Sequence, residues 1–312
     1  MSGACSIATH QRSGLQRVCR IWRVPRSTCY ARRRRAARAV GSCSKRGPMG
    51  PCSDRVLVDH IRHGLAASPF HGEGYRKVWA RLRFAGLRTS KERVRRLMRQ
   101  HGLQAPQRKR PPCGLAGHDG TIIPDQPDVM WGTDATTTQT QKEGPAQVFV
   151  SVDHYTFECI GIHASAHGHR FEALEPIRQG VREHLGGYTA QRAVGLKVRH
   201  DQGAVYVSDA FQRELDFLGI ESSPSFSRQP QGNGCVERFI GILKENLLWV
   251  HTFATVEELR PALIEFKQRY NQQWILQRHG YKTPAQVRQE KRYSASEARR
   301  AFLLMTIYRA AI

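Results

Sequence analysis

From residue 128 onward, strand-like and helix-like periods follow one another in an order that few folds accommodate. Val129 to Thr138, Gln147 to Asp153 and Phe157 to Ala164 read as three successive strands. The short His154-Tyr-Thr156 connection between the last two predicts an antiparallel hairpin. Arg170 to Leu185 reads as a helix closed by Gly186-Gly187, and Leu196 to His200 as a fourth strand. Ser208 to Leu218 is helical, Gly219-Ile-Glu-Ser222 a short fifth strand, and another helix follows Gly234. Three strands, then helix, strand, helix, strand, helix predict an α/β fold, a mixed sheet covered by helices.

Three carboxylates fall at telling places in that order. Asp134 is centred in the first strand, within Trp131-Gly-Thr-Asp134. Asp201 stands at the carboxyl end of the fourth strand, where open sheets commonly place their sites. Glu237 lies 36 positions after Asp201, on the helix that follows Gly234. Val236, Ile240, Leu243 and Leu247 form the buried stripe of that helix at ~100° per residue. Glu237 then sits at the rim of the stripe, and Lys244, seven residues on, returns to nearly the same azimuth. Carboxylates from two strands and a helix make an oxygen-rich site for hard divalent cations, with Lys244 offering a positive charge to phosphate. Ser222 to Gly234, rich in Ser, Gly and Pro, is expected to be a surface loop beside this site. Taken singly, each carboxylate is more often a solvated charge or a cap, and Asp153, Asp209 and Glu245 are read that way.

Charge separates the chain into two parts. Residues 1–112 hold 27 Lys and Arg against 4 Asp and Glu, whereas the remainder carries 22 of each. The whole net charge of +23 is therefore in the N-terminal third. That balance suits a polyanion-gripping module joined to a neutral one. Leu15, Val18, Cys19 and Trp22 share one helical face, Val24-Pro25 interrupts it, and Arg26-Ser-Thr-Cys-Tyr30 opens a second helix. A second helical unit follows. Ser53 and Ser90 are expected N-caps, and Gly86 is suited to a left-handed helix end. Leu57, Ile61, Leu65, Tyr75, Val78, Trp79, Leu82, Val94, Leu97 and Met98 face inward. Arg93, Arg95, Arg96 and Arg99 crowd the last helix, as a groove-reading helix requires.

The eight cysteines include no C-x-x-C pair, and His60-x-x-His63 lacks the cysteines a zinc finger needs. No apolar run approaches membrane-spanning length, and the N-terminus has no signal-peptide core. A cytoplasmic, nucleoid-associated protein without a membrane partner is expected.

Trp131-Gly-Thr-Asp134, His200-Asp-Gln-Gly203 and Gly232-Asn-Gly-Cys-Val-Glu-Arg-Phe239, with Lys244-Glu-Asn-Leu247, Tyr270-Asn271 and Thr283-Pro-Ala285, resemble bacterial insertion-sequence transposases. The resemblance is to the retroviral-integrase-like type, whose catalytic second-reading-frame subunit carries two aspartates and a glutamate 35 residues after the second. It covers roughly residues 13 to 290. It implies an RNase H-like catalytic core preceded by a basic all-α helix-turn-helix region. The expected division is a partial helix-turn-helix at 1–35, a linker at 36–52 and a helix-turn-helix domain at 53–105. A second linker at 106–124, the integrase core at 125–290 and an atypical tail at 291–312 follow. Ala204-Val205 replaces the Ser-Gln that the family usually places before Tyr206.

What the resemblance implies is a polynucleotidyl transferase. Asp134, Asp201 and Glu237 are the expected catalytic and metal-ligating residues for two Mg²⁺ ions, with Mn²⁺ as a substitute. The candidate DNA contacts are Lys244, Arg238 and Asn233 near the site, the four arginines at 93, 95, 96 and 99, and Arg26 and Ser27. Double-stranded DNA, further copies of the chain and a small helix-turn-helix subunit from an upstream reading frame are the implied partners. Two other readings are open: a repurposed, non-catalytic DNA-binding protein, and a structure-specific nuclease that cuts without joining. A tyrosine recombinase would need an Arg…His-x-x-Arg…Tyr arrangement that the C-terminal half lacks.

Overall fold

Val148, Val150 and Val152 alternate with Phe149 along one strand, so that strand must bury both faces. The computed structural model describes residues 10–12, 14–37, 52–106, 124–225 and 233–294. Within them β1 (Met130–Thr140), β2 (Gly144–Asp153), β3 (Cys159–Ser165), β4 (Lys197–His200) and β5 (Glu221–Pro224) form one sheet. Its order is β3-β2-β1-β4-β5. β1, β2 and β3 pair antiparallel, while β4 runs parallel to β1 and β5 parallel to β4. This mixed five-stranded sheet covered by helices is the α/β fold that the pattern predicts and the RNase H-like one that the resemblance implies.

Alternation sends the two sides of each strand into different cores. Trp131, Phe149, Ile160 and Val198 pack with helices α6 (Arg170–His184) and α7 (Asp209–Leu218). Val148, Val150, Val152 and Ile162 face α8 (Gly234–Leu243) and α9 (Val256–Gln273). Gly219, with φ +76°, ends α7 in the left-handed conformation that glycine adopts without strain. Arg288 is 4 % exposed and pairs with Asp128 at 2.6 Å and with Glu158. Asp153 accepts the Thr156 amide and hydroxyl at the β2–β3 turn and the Asp128 amide. Of the two roles read from the sequence, solvated charge or cap, it takes the cap, and it is buried instead of solvated.

The chain divides into two compact units, Met1–Gly50 and Pro51–Ile312. The first holds α1 (Leu15–Ile21) and α2 (Arg26–Ala37), separated at Pro25. Cys19 is buried as expected, but Trp22 is 60 % exposed because α1 ends one residue before it and the apolar phase is lost.

The second unit begins with α3 (Asp54–Ala66), α4 (Tyr75–Phe84) and α5 (Lys91–Gln100) around Leu57, Ile61, Val78, Leu97 and Met98. Ser53 and Ser90 accept the Val56 and Arg93 amides as N-caps, and Gly86 has φ +83°. Glu73, buried, receives Arg81 through both carboxylate oxygens and the Ser68 hydroxyl. The α3–α5 region is joined to α9 by Phe70, set edge-on to Phe266 and Trp274. Residues 38–50 and 107–123 of the expected linkers, 226–232 of the loop and 295–312 of the tail lie outside the described residues.

Candidate active site

The sheet register brings two of the carboxylates side by side. Met130, Trp131 and Gly132 pair with Lys197, Val198 and Arg199, and Asp134 and Asp201 each follow two residues later. Side chains of one face recur every second residue, so Asp134 shares the face of Gly132. That face is covered by α8: a Cβ on Gly132 would stand 2.5 Å from Val236 Cγ2 and 2.7 Å from Asn233 Oδ1. Glu237 is the residue after Val236 on the same helix, exposed at the rim.

The electrostatics agree with that placement. The Asp134 carboxyl is pushed up to about 6, chiefly by burial and further by the like charges of Asp201 and Glu237. The Ala135 amide, donating to Asp134 Oδ1 at 2.8 Å, and the Lys244 ammonium act in the opposite direction. Glu237 is raised by loss of water. Asp201 is exposed and accepts the Gly203 amide on Oδ1 at 2.9 Å. Among the described residues, no three His, Cys, Asp or Glu side chains are gathered closely enough to hold one ion. The donor chemistry nonetheless suits a hard cation: Asp134 is surrounded by like charge that Lys244 only partly offsets. The two aspartates are neighbours at the ends of the paired stretch of β1 and β4, and Glu237 is on α8, which covers that face.

Two supporting residues carry weaker sequence signals. His200, buried, donates from Nδ1 to the Asp201 carbonyl at 2.6 Å, which leaves Nε2 to accept the Ser222 hydroxyl at 2.9 Å. Burial keeps its pKa below the ordinary histidine value, which suits that neutral tautomer. Tyr206 is buried beside His200 and Phe211, and burial together with Asp134 and Asp201 holds its phenol well above the usual range. Their sequence signal is membership in and beside the His200-Asp-Gln-Gly203 motif, which gave neither a role of its own.

The helix geometry departs from the expected phase after Leu243. Lys244–Leu248 is a π-helical turn, so the 100° step no longer applies there. Asn246 explains it: its amide side chain donates to the Ile242 carbonyl at 2.9 Å and accepts the His71 amide at 2.7 Å. Lys244 nonetheless lies near enough to Asp134 to lower its pKa.

The other candidate contacts are distributed unevenly. Arg238 is exposed beside Glu237, whereas Asn233 is only 6 % exposed and donates its Nδ2 to the Thr133 carbonyl. On α5, Arg93 and Arg96 both reach Asp54 at 2.8 Å. Arg95 and Arg99 are exposed. Arg26 and Ser27 are exposed at the start of α2, in the first unit. No described helix is long and apolar enough to cross a membrane.

Comparisons with known proteins place these elements in context. Residues 71–111 match an HTH-like domain and residues 218–284 an integrase core domain. The second match contains Glu237 and Lys244 and begins after Asp134 and Asp201. The transposase of insertion element IS629 from Shigella sonnei is 26 % identical over 232 residues, 72 % of this chain and 75 % of that one. Transposase InsD of IS2 from Escherichia coli is 22 % identical over 243 residues, 76 % of this chain and 80 % of that one. Among solved structures, the simian T-cell lymphotropic virus intasome matches at a TM-score of 0.44 and 20 % identity, over 76 % of this chain and 74 % of that one. The HTLV-2 integrase catalytic core in complex with magnesium matches at 0.40 and 20 %, over 53 % and 98 %. The chain thus carries an HTH-like domain and an integrase core domain and is homologous to insertion-sequence transposases over about three-quarters of its length.

Proposed function

We propose that this chain is a polynucleotidyl transferase that cuts and joins DNA at the ends of an insertion element, using divalent cations. The observation that carries the reading is Asp134. It is a half-buried carboxyl in the middle strand, on the face covered by α8, with its pKa raised by Asp201 and Glu237 and lowered by Lys244. Asp134, Asp201 and Glu237 would hold the metal, Mg²⁺ or Mn²⁺. When bound, such ions supply an activated water or hydroxyl and neutralise charge on a phosphodiester.

The chain's own residues have separable tasks. Gly132 lets α8 approach β1, and Asn233 fastens that approach. His200 holds the Asp201 peptide, and the Gly203 amide holds its side chain. Lys244 supplies a positive charge for a DNA phosphate beside the carboxylates. In the second unit Arg238, with Arg95 and Arg99 on α5, offers further contacts to double-stranded DNA, and in the first unit Arg26 and Ser27 on α2 do so separately. Element ends occur in pairs, so further copies of the chain, and a small helix-turn-helix subunit, are the proposed assembly on cytoplasmic DNA. The domain limits proposed with this function are those read from the sequence.

The test is strand joining with Mg²⁺ or Mn²⁺ on DNA carrying the flanking element end, with Glu237→Gln as control. Joined products that vanish in the variant, with DNA binding retained, support the proposal. Cutting without joining favours a nuclease. Tight binding without reaction, even after the upstream subunit is added, favours a non-catalytic DNA-binding protein.

A further inference from the structure

Among the described residues of the first unit, the two short helices build little of a core. α1 buries only Cys19, and α2 is strongly polar, with Arg32, Arg33 and Arg34 exposed along it. Where so little apolar surface is covered, a small unit ordinarily needs a staple. The structure sets two free thiols where one would form. Cys19 Sγ on α1 and Cys29 Sγ on α2 lie 3.5 Å apart, across the turn at Pro25. A disulfide brings sulfurs to about 2.05 Å, so side-chain rotation and a small approach of the helices suffice. The other described cysteines, Cys52, Cys159 and Cys235, do not meet one another, and the latter two are buried. Cys29 is only half-buried, which gives a reagent access to this pair. Burial and Cys29 raise the Cys19 pKa, whereas Arg26 and Arg33 favour its thiolate.

We propose that Cys19 and Cys29 form a reversible disulfide that clamps α1 to α2. The oxidant class is a low-molecular-weight disulfide such as oxidised glutathione. The Cys29 thiolate attacks one sulfur of that disulfide, giving a mixed disulfide and releasing one small thiol. Cys19 then attacks the Cys29 sulfur, the protein disulfide forms and the second small thiol leaves. Two protein thiols are oxidised, one small disulfide is reduced, and both protons end on the released thiols.

The consequence for DNA rests on the proposed DNA-binding role of this unit. A pair of helices held by one buried contact must be ordered when it binds, and a covalent clamp supplies that order beforehand. The oxidised chain should therefore bind DNA about threefold more tightly or better.

The experiment uses the full chain. It is equilibrated with oxidised glutathione, digested without reduction and mapped by mass spectrometry, and fluorescence anisotropy follows its binding to a labelled duplex. A dominant Cys19–Cys29 link, reversed by dithiothreitol and replaced by a glutathione adduct in Cys29→Ser or Cys19→Ser, is expected. Separate glutathione adducts on Cys19 and Cys29 without a link, or linkage no more frequent than to Cys52, would overturn it. Equal DNA affinity of the linked and reduced chains would overturn the clamp's effect. Absence of salt-sensitive binding in both the linked and the reduced chain would instead count against the DNA-binding role, and leaves the mapping result standing.

Discussion

Asn233 donates its side-chain amide to the carbonyl of Thr133 at 3.1 Å, so the start of α8 is fastened to β1 one residue from Asp134. The bond crosses 100 residues of sequence and lies in the buried interior. It couples the strand that bears one carboxylate to the helix that bears another. Asn233→Ala should lose about 1 kcal/mol of stability, the usual net value of a buried hydrogen bond. If Asn233 acts by positioning, strand joining should fall more than DNA affinity. A parallel fall in both would make it a DNA contact instead. Urea unfolding, anisotropy and a joining assay on one protein preparation separate these outcomes.

Gly132 tests the same junction by addition. A Cβ there would lie 2.5–2.7 Å from Val236 Cγ2, Asn233 Oδ1 and His154 Nε2, all within van der Waals radii. The flanking β1 residues leave no direction in which the strand can yield, because β2 and β4 pair with it on both edges. Gly132→Ala should then cost about 1–3 kcal/mol, as overpacked cores do. An unchanged urea midpoint would mean that α8 retreats freely from the sheet.

These two residues also show where sequence reading reaches and where it stops. The succession of strands and helices was legible because β2 alternates between two cores and Gly186-Gly187 and Gly219 end the helices before β4 and β5. Asp134, Asp201 and Glu237 stood out through spacing and local motif. Asn233 looked like a loop-edge DNA contact, because nothing in one dimension reveals that Thr133 has a free carbonyl opposite it. The π turn from Lys244 onward is hidden for a similar reason: Asn246 captures the Ile242 carbonyl, and the helix widens there while Leu247 stays buried as expected. Side-chain capture of backbone groups is a tertiary event, and a helical wheel does not contain it.

The arginines of α5 should divide by role. Arg93 donates to Asp54 and to the Cys52 carbonyl, and ties α5 to the start of α3. Arg93→Ala should therefore lower the stability of the α3–α5 region. Arg95 and Arg99 are exposed, with Arg95 loosely paired to Glu92 at 3.4 Å. Their replacement by Ala should leave stability within about 0.5 kcal/mol. Each should instead reduce the slope of log affinity against log salt by about 0.9, the value for one phosphate contact. A slope that stays the same in both variants would remove α5 from the DNA surface.

Arg288 is the buried cation on which several carboxylates depend. It pairs with Asp128 and Glu158, and its charge also lowers the pKa of Asp153, which burial otherwise raises. Arg288→Met would leave Glu158 and Asp128 without that partner and should cost about 3–5 kcal/mol near neutral pH. Protonation of Glu158, whose carboxyl burial already holds above its ordinary value and which loses the opposing Arg288 charge, relieves the cost, so the gap to the parent chain should narrow as pH falls. A gap that widens in acid would contradict this account.

The last prediction concerns Asp134, whose proton the folded chain holds more tightly than the unfolded chain does. Burial and the like charges nearby push its pKa up to about 6, above the ordinary aspartate value of 3.8. For an acid raised in this way, stability falls as pH rises from about 4 to about 6, and the full cost stands above 6. The cost is on the order of 2–3 kcal/mol at neutral pH. Asp134→Asn removes the charge, so it should raise the melting temperature of the metal-free chain at pH 7.5 and change it little at pH 4. A divalent cation relieves the same repulsion in the parent chain. Millimolar Mg²⁺ or Mn²⁺ should therefore raise the parent's melting temperature at pH 7.5, far less at pH 5, and not at all in Asp134→Asn. A variant that is destabilised at pH 7.5, or that keeps the full metal response, would show that Asp134 neither bears this cost nor holds the ion.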